Sequence, residues 1–104
     1  MAEQTNDVTV TNNVDAHRFE ASVAGHVAYA EYARVDDDIV FTHTIVPPEL
    51  EGRGLASKIV HTALDHARGE RLSVVPLCPF VASYLRRHPE YHDIVNPAYR
   101  SRVA

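Results

Sequence analysis

The chain has 104 residues, 45% of them hydrophobic and 23% charged, and a formal net charge of −4. These values fit one globular domain with a single modest core, and the missing basic surplus excludes general binding to a nucleic-acid backbone. An acidic balance suits attraction of a cationic substrate such as an amine.

The single cysteine, Cys78, excludes an intrachain disulfide framework. The opening MAEQTNDVTV has no basic segment followed by an apolar run, and no run anywhere approaches a membrane span. A cytoplasmic protein, away from membranes and acting as a monomer or weak dimer, is the resulting expectation.

Residues 1–7 are polar and read as a frayed, flexible terminus. From Val8 the pattern turns strand-like, through TVTN, RFEASV and HVAYAEYARV, with turn signals at Asn12-Asn13 and Ala24-Gly25. In the third segment Val27, Tyr29, Glu31 and Ala33 alternate with Ala28, Ala30, Tyr32 and Arg34, which predicts one better-buried face and one mixed face. Asp36-Asp37-Asp38 makes the next turn. The strand after it, Ile39 to Val46, is dense in β-branched residues and stops at Pro47-Pro48.

Beyond Gly52 and Gly54 the period changes. Leu55, Ala56, Ile59, Val60, Ala63, Leu64 and Ala67 fall at helical spacing, predicting about four turns closed by a left-handed cap at Gly69. A short apolar strand between Leu72 and Cys78 follows. Then comes a second helix across Phe80, Val81, Tyr84 and Leu85, ended near His88 by Pro89. A last short strand is expected around Asp93 to Val95. The domain thus runs over residues 8–95, with 96–104 as a polar tail. The fold class is α/β in its α+β form: a mixed, mostly antiparallel sheet containing one parallel strand pair, with one long and one short helix. In such sheets ligands favour the carboxyl ends of the strands.

The stretch PELEGRGLASKIV holds the chemistry at that end. Its glycines join a strand's carboxyl end to a helix whose first N–H groups have no intrahelical partner, and the missing side chains let phosphate oxygens come close. A tight strand-to-helix turn alone also accounts for a glycine pair. A Walker loop is excluded, because the Gly-Lys-Ser/Thr ending is absent.

Glu51-Gly52-Arg53-Gly54-Leu55-Ala56 resembles the acetyl-CoA signature Gln/Arg-x-x-Gly-x-Gly/Ala of the GNAT superfamily of N-acetyltransferases. With FTHTIVPPELEGRGLASKIVHTALDHAR and VVPLCPFVASYLRRHPEY around it, the chain resembles that superfamily's compact single-domain members from about Val8 to Val95. Glu51 departs from the signature and sets a carboxylate near the pyrophosphate position. The resemblance implies a parallel pair that splays apart, formed by Ile39 to Val46 and Leu72 to Cys78, with acetyl-CoA as cosubstrate. It implies a pyrophosphate carried by backbone of Glu51, Gly52, Arg53, Gly54, Leu55, Ala56 and Ser57, and pantetheine met by Thr44, Ile45 and Val46. The implied reaction is attack of an amine, on a small molecule or a protein, upon the thioester. It needs a deprotonated nucleophile, a stabilised oxyanion and a protonated leaving thiolate.

Three side chains are candidates for the catalysis. Family members often carry a tyrosine in a setting like Ala82-Ser83-Tyr84-Leu85, whose phenol protonates the thiolate; a packed core tyrosine is the plainer reading of Tyr84. Cys78 precedes Pro79, a residue favoured at the first helical position, so its thiol falls at a helix N-terminus, a setting that favours nucleophilic thiolates. It is a candidate acceptor of the acetyl group, or else a small buried hydrophobe. His43 lies on the strand flanking the thioester and can relay a proton from the amine, with Thr44 and Glu49 as nearby alternatives; a sheet-face histidine bonded to a neighbour is the structural alternative. His61 and Asp65 share a helix face at i, i+4 but form an ion pair more readily than a metal site, and no metal is expected.

No helix pair follows the first strand, where typical family members shape the acceptor site. An open acceptor site suits a lysine side chain, a protein N-terminus or a polyamine. It also suits a non-catalytic CoA-binding or interaction module.

Overall fold

Alternating polar and apolar residues draw the first half of the chain into an antiparallel meander. In a computed structural model, which describes residues 8–104, this meander comprises β1 (Thr11–Asn13), β2 (Arg18–Val23), β3 (His26–Val35) and β4 (Asp38–Ile45). The stretch read as a frayed terminus, residues 1–7, lies outside the described residues. Each strand pairs with the next, and β5 (Ser73–Pro76) joins β4 in parallel to complete the sheet in the order β1-β2-β3-β4-β5. The expected mixed sheet with one parallel pair is therefore present.

The β2–β3 connection is a two-residue turn in which Ala24 and Gly25 both take positive φ, 52° and 82°. Such turns match the twist of the flanking strands, so they hold the register Val23↔His26 through Arg18↔Glu31. Phe19, Ala21, Val23, Ala28, Ala30 and Tyr32 point to one face and are buried, while Tyr29 and Glu31 occupy the other, half-open face.

Two helices cover the buried face. Helix α1 (Leu55–Gly69) carries the chain from the carboxyl end of β4 back to the start of β5 and buries Leu55, Ile59, Val60, Ala63, Leu64 and Ala67. Helix α2 (Pro79–Arg87) follows β5 and buries Val81, Ala82, Tyr84 and Leu85. The long and the short helix lie where the periodicity set them, with one correction at the end of α1. Gly69 remains helical, and the left-handed residue is Arg71, φ 59°. The Leu72 N–H reaches the Ala67 carbonyl at 2.8 Å, which closes the helix by a longer route than a cap at Gly69.

Three 3-10 helices complete the described chain. Pro48–Leu50 leads into the glycine turn, and its Leu50 is buried. Pro89–Ile94 replaces the start of the expected final strand, of which only a parallel bridge between Val95 and Val74 forms. Pro97–Arg102 lies in the segment read as a polar tail; Val103, just after it, is buried in the core.

Candidate active site

Pairing between β4 and β5 ends at Phe41↔Pro76, although β4 runs on to Ile45. A register shift beside Glu31 and Tyr32 contributes to this parting: Tyr32 pairs with Phe41 and Glu31 with His43, leaving Thr42 as the extra residue. A bulge of this kind bends its strand and increases its twist. It also resets the alternation. Thr44, opposite the fully buried Ala30, faces the helices, whereas His43, opposite Glu31, faces the open side.

The gap is closed on the β5 side by the turn into α2. Cys78 is the residue that caps this helix; its N–H donates to the Phe41 carbonyl at 2.9 Å and its carbonyl accepts from the Ala82 N–H at 3.0 Å. Cys78 is buried, 3% exposed, with Sγ 3.3 Å from Thr44 Oγ1. Thr44 on β4 and Cys78, at the turn from β5 into α2, thus meet in space.

The second part of the site is the start of α1. Buried Leu50 pins the 3-10 turn, Glu51 is extended, and Gly52 and Gly54 follow with φ of 81° and 73°. Left-handed backbone at two positions out of three explains why glycine is used twice. No side chain caps α1, so the first-turn N–H groups of Leu55, Ala56 and Ser57 point out at the positive end of the helix dipole. A cleft of about 190 Å³ lies over them, lined by Val46, Glu51, Gly52, Gly54, Leu55, Ala56, Ser57 and Phe80 among others. A Cβ built on either glycine meets nothing within 4 Å, so the space above the turn is open to a ligand. This donor set fits a phosphate-bearing group. The Glu51 carboxylate at the rim opposes one, and Arg53 is exposed beside it.

Tyr84 and His43 stand apart from Cys78. Tyr84 is six residues along α2, about 9 Å down the helix axis. Its hydroxyl lies 3.5 Å from His61 Nδ1, and its ring stacks on His88 with centroids 4.0 Å apart. Burial first, then the negative charges of Glu90 and Asp65, pushes this phenol above its ordinary range. Tyr91 joins the same cluster, donating to Asp65 Oδ1 at 2.6 Å and lying 2.9 Å from His61 Nδ1. Burial and the bond to Asp65 raise its pKa further. His61 and Asp65 form the expected i, i+4 pair, at 3.2 Å, but this tyrosine pair seated on them was missed. Only the aromatic residues at Tyr84 and Tyr91 could have signalled it. His43, 69% exposed, lies on the open face with Nε2 4.0 Å from Glu31 Oε1. Among the described residues no group of three His, Cys, Asp or Glu side chains could hold a metal, and no helix is long and apolar enough to cross a membrane.

A sheet whose parallel pair parts beside a cysteine, with an uncapped, glycine-led helix start at the same end, defines an α+β protein whose open cleft lies at the carboxyl ends of β4 and β5, the end that ligands favour in such sheets. The chain belongs to the GCN5-related N-acetyl-transferase family, whose model matches residues 18–94. The match runs from the first residue of β2 to the last of the 3-10 helix after α2, and so includes both parts of the site. The family uses acetyl-CoA as its cosubstrate.

Proposed function

We propose that this protein is an acetyl-CoA-dependent N-acetyltransferase acting on an accessible primary amine, with Cys78 as a covalent relay. The observation that carries the reading is that α1 begins uncapped at the open end of the parallel pair, so one ligand can lie on the helix start and extend into the gap. Backbone N–H groups from Gly52 to Ser57 hold the pyrophosphate. Backbone at Thr44 and Ile45, paired with β3 but not with β5, and at Val46 just past β4, meets the pantetheine amides. Acetyl-CoA supplies an activated acyl carbon.

Cys78 Sγ bonds to that carbon as the bond to the CoA sulfur breaks, and the departing thiolate takes up a proton from solvent. The Thr44 hydroxyl, 3.3 Å away, donates a hydrogen bond to Sγ in its thiolate form. A neutral amine then forms the N–C bond as the C–Sγ bond breaks. Its surplus proton passes to His43 and Cys78 returns as thiolate. The Tyr84 phenol, pushed above its ordinary range by burial and drawn to His61, lies along α2 from Cys78 and carries no proton transfer in this scheme. The reducing cytoplasm suits a lone catalytic thiol.

Glu51 at the cleft rim favours a second reading, a module that binds CoA without turnover. Offering acetyl-CoA with lysine-containing peptides and polyamines separates the two: an acyltransferase releases free CoA, and a module releases none. Cys78→Ala should keep CoA binding and lose most transfer. Unchanged turnover in that variant removes the covalent relay.

A further inference from the structure

We infer that Glu31, on β3, holds the ammonium of the acceptor beside His43, and that acceptors are cationic amines on aliphatic stems reaching the sheet's open face. This rests on the acyltransferase reading above and adds to it the substrate class and a residue that the signature motif does not contain.

The bulge at Thr42 creates the arrangement. Two residues of β4, Thr42 and His43, oppose the single residue Glu31, so three polar side chains crowd one spot where a regular ladder would place two. Thr42 Oγ1 donates to Glu31 Oε1 at 3.2 Å and lies 3.3 Å from the Glu31 carbonyl, which fixes the carboxylate against the strand. His43 Nε2 stands 4.0 Å from the same Oε1. That separation is too long for a direct hydrogen bond. Glu31 is 44% exposed on its side chain, so a positively charged group can reach it from solvent. The pair sits one residue from Thr44, whose hydroxyl meets Cys78 from the opposite face. An amine on the open face therefore approaches the acyl carbon through the gap between β4 and β5, while CoA occupies the helix end. Exposed Ile45 on β4 and Leu77 just past β5 flank that gap and suit methylene groups rather than a polar or bulky head. Glu31 binds the charged form, which loses one proton to solvent to give the neutral amine, and His43, beside it, takes the surplus proton once the N–C bond has formed.

The test is an NMR titration of the full chain with cadaverine, and with pentanol as the uncharged analogue. Saturable shifts at Glu31, His43 and Ile45 are expected with cadaverine and not with pentanol. Glu31→Gln should weaken cadaverine binding about tenfold, the scale of one charge-assisted contact, and Glu31→Asp should fall between the two. Shifts centred elsewhere, or equal affinity in Glu31→Gln, overturn the assignment. Acetyl-CoA affinity of the wild-type protein is measured on the same samples. Its absence overturns the acyltransferase reading, whereas normal acetyl-CoA binding with no effect of Glu31→Gln overturns the role of Glu31 alone.

Discussion

Replacing Gly54 with alanine separates what the glycine does for the backbone from what it does for a ligand. Gly54 has φ 73°, a left-handed value, and a Cβ there meets no atom within 4 Å. No clash adds to the cost, which reduces to holding an L-residue in the left-handed region, about 1–2 kcal/mol. For a domain of this size that lowers the melting temperature by roughly 5–15 °C. The added methyl also projects into the cleft over the first-turn N–H groups, so acetyl-CoA binding should fall with stability. Gly54→Asn divides the two effects. Asparagine enters the left-handed region more readily, so about half the lost stability should return, while the larger side chain still obstructs the cleft. Thermal unfolding followed by circular dichroism gives the first quantity and calorimetric titration with acetyl-CoA the second. An unchanged melting temperature in Gly54→Ala would refute the left-handed turn, and full binding by Gly54→Asn would refute the cradle.

Other predictions follow from the packing and the titrating groups. Val103→Ala should destabilise the fold by about 2 kcal/mol, from two lost methyl equivalents and the cavity they leave; a chemical-denaturation midpoint equal to wild type would show that the C-terminus does not pack into the core. Tyr91→Phe should cost about 1 kcal/mol near neutral pH by removing the bond to Asp65. The same residue sets an alkaline limit, because burial and the bond to Asp65 raise its folded pKa above the ordinary phenol value of about 10. Stability is whole below pH 10 and falls as pH rises beyond it, since the unfolded phenol ionises while the folded one stays neutral. Tyr91→Phe should flatten that decline in unfolding measured from pH 8 to 11, and an unchanged slope would count against the buried phenol. Thr44→Val should slow alkylation of Cys78 by iodoacetamide severalfold by taking away a hydroxyl placed to donate to Sγ as a thiolate forms, and an equal rate would leave Thr44 without that role.

Long, strongly periodic segments were readable from the residues alone. Strands β2 and β3 have the bounds their alternation predicts, and α1 starts at Leu55 and buries the apolar stripe except Ala56, which is half-buried and lines the cleft instead. Helix α2 begins at Pro79 because proline suits a first helical position. What stayed hidden depends on contacts between distant residues. The bulge at Thr42 cannot be seen in IVFTHTIV, where Thr42, His43 and Thr44 are all polar and give no alternation to break. Its consequence is large, since it turns Thr44 toward Cys78 and His43 away. Gly69 carried a strong cap signal, yet the chain spends its left-handed residue at Arg71, where the Leu72 N–H can still reach Ala67. The meeting of His61, Tyr84 and Tyr91 links α1, α2 and the following 3-10 helix, and no local pattern encodes it.

The most direct test of the central claim is a calorimetric titration of the wild-type chain with acetyl-CoA, alongside dephospho-CoA. If the glycine-led start of α1 is an anion cradle for the pyrophosphate, acetyl-CoA binds saturably at one site and dephospho-CoA, which keeps the pyrophosphate, binds nearly as well. Absence of binding at millimolar ligand would contradict it, leaving Gly52 and Gly54 as a turn and the chain as a family member without the family's cosubstrate.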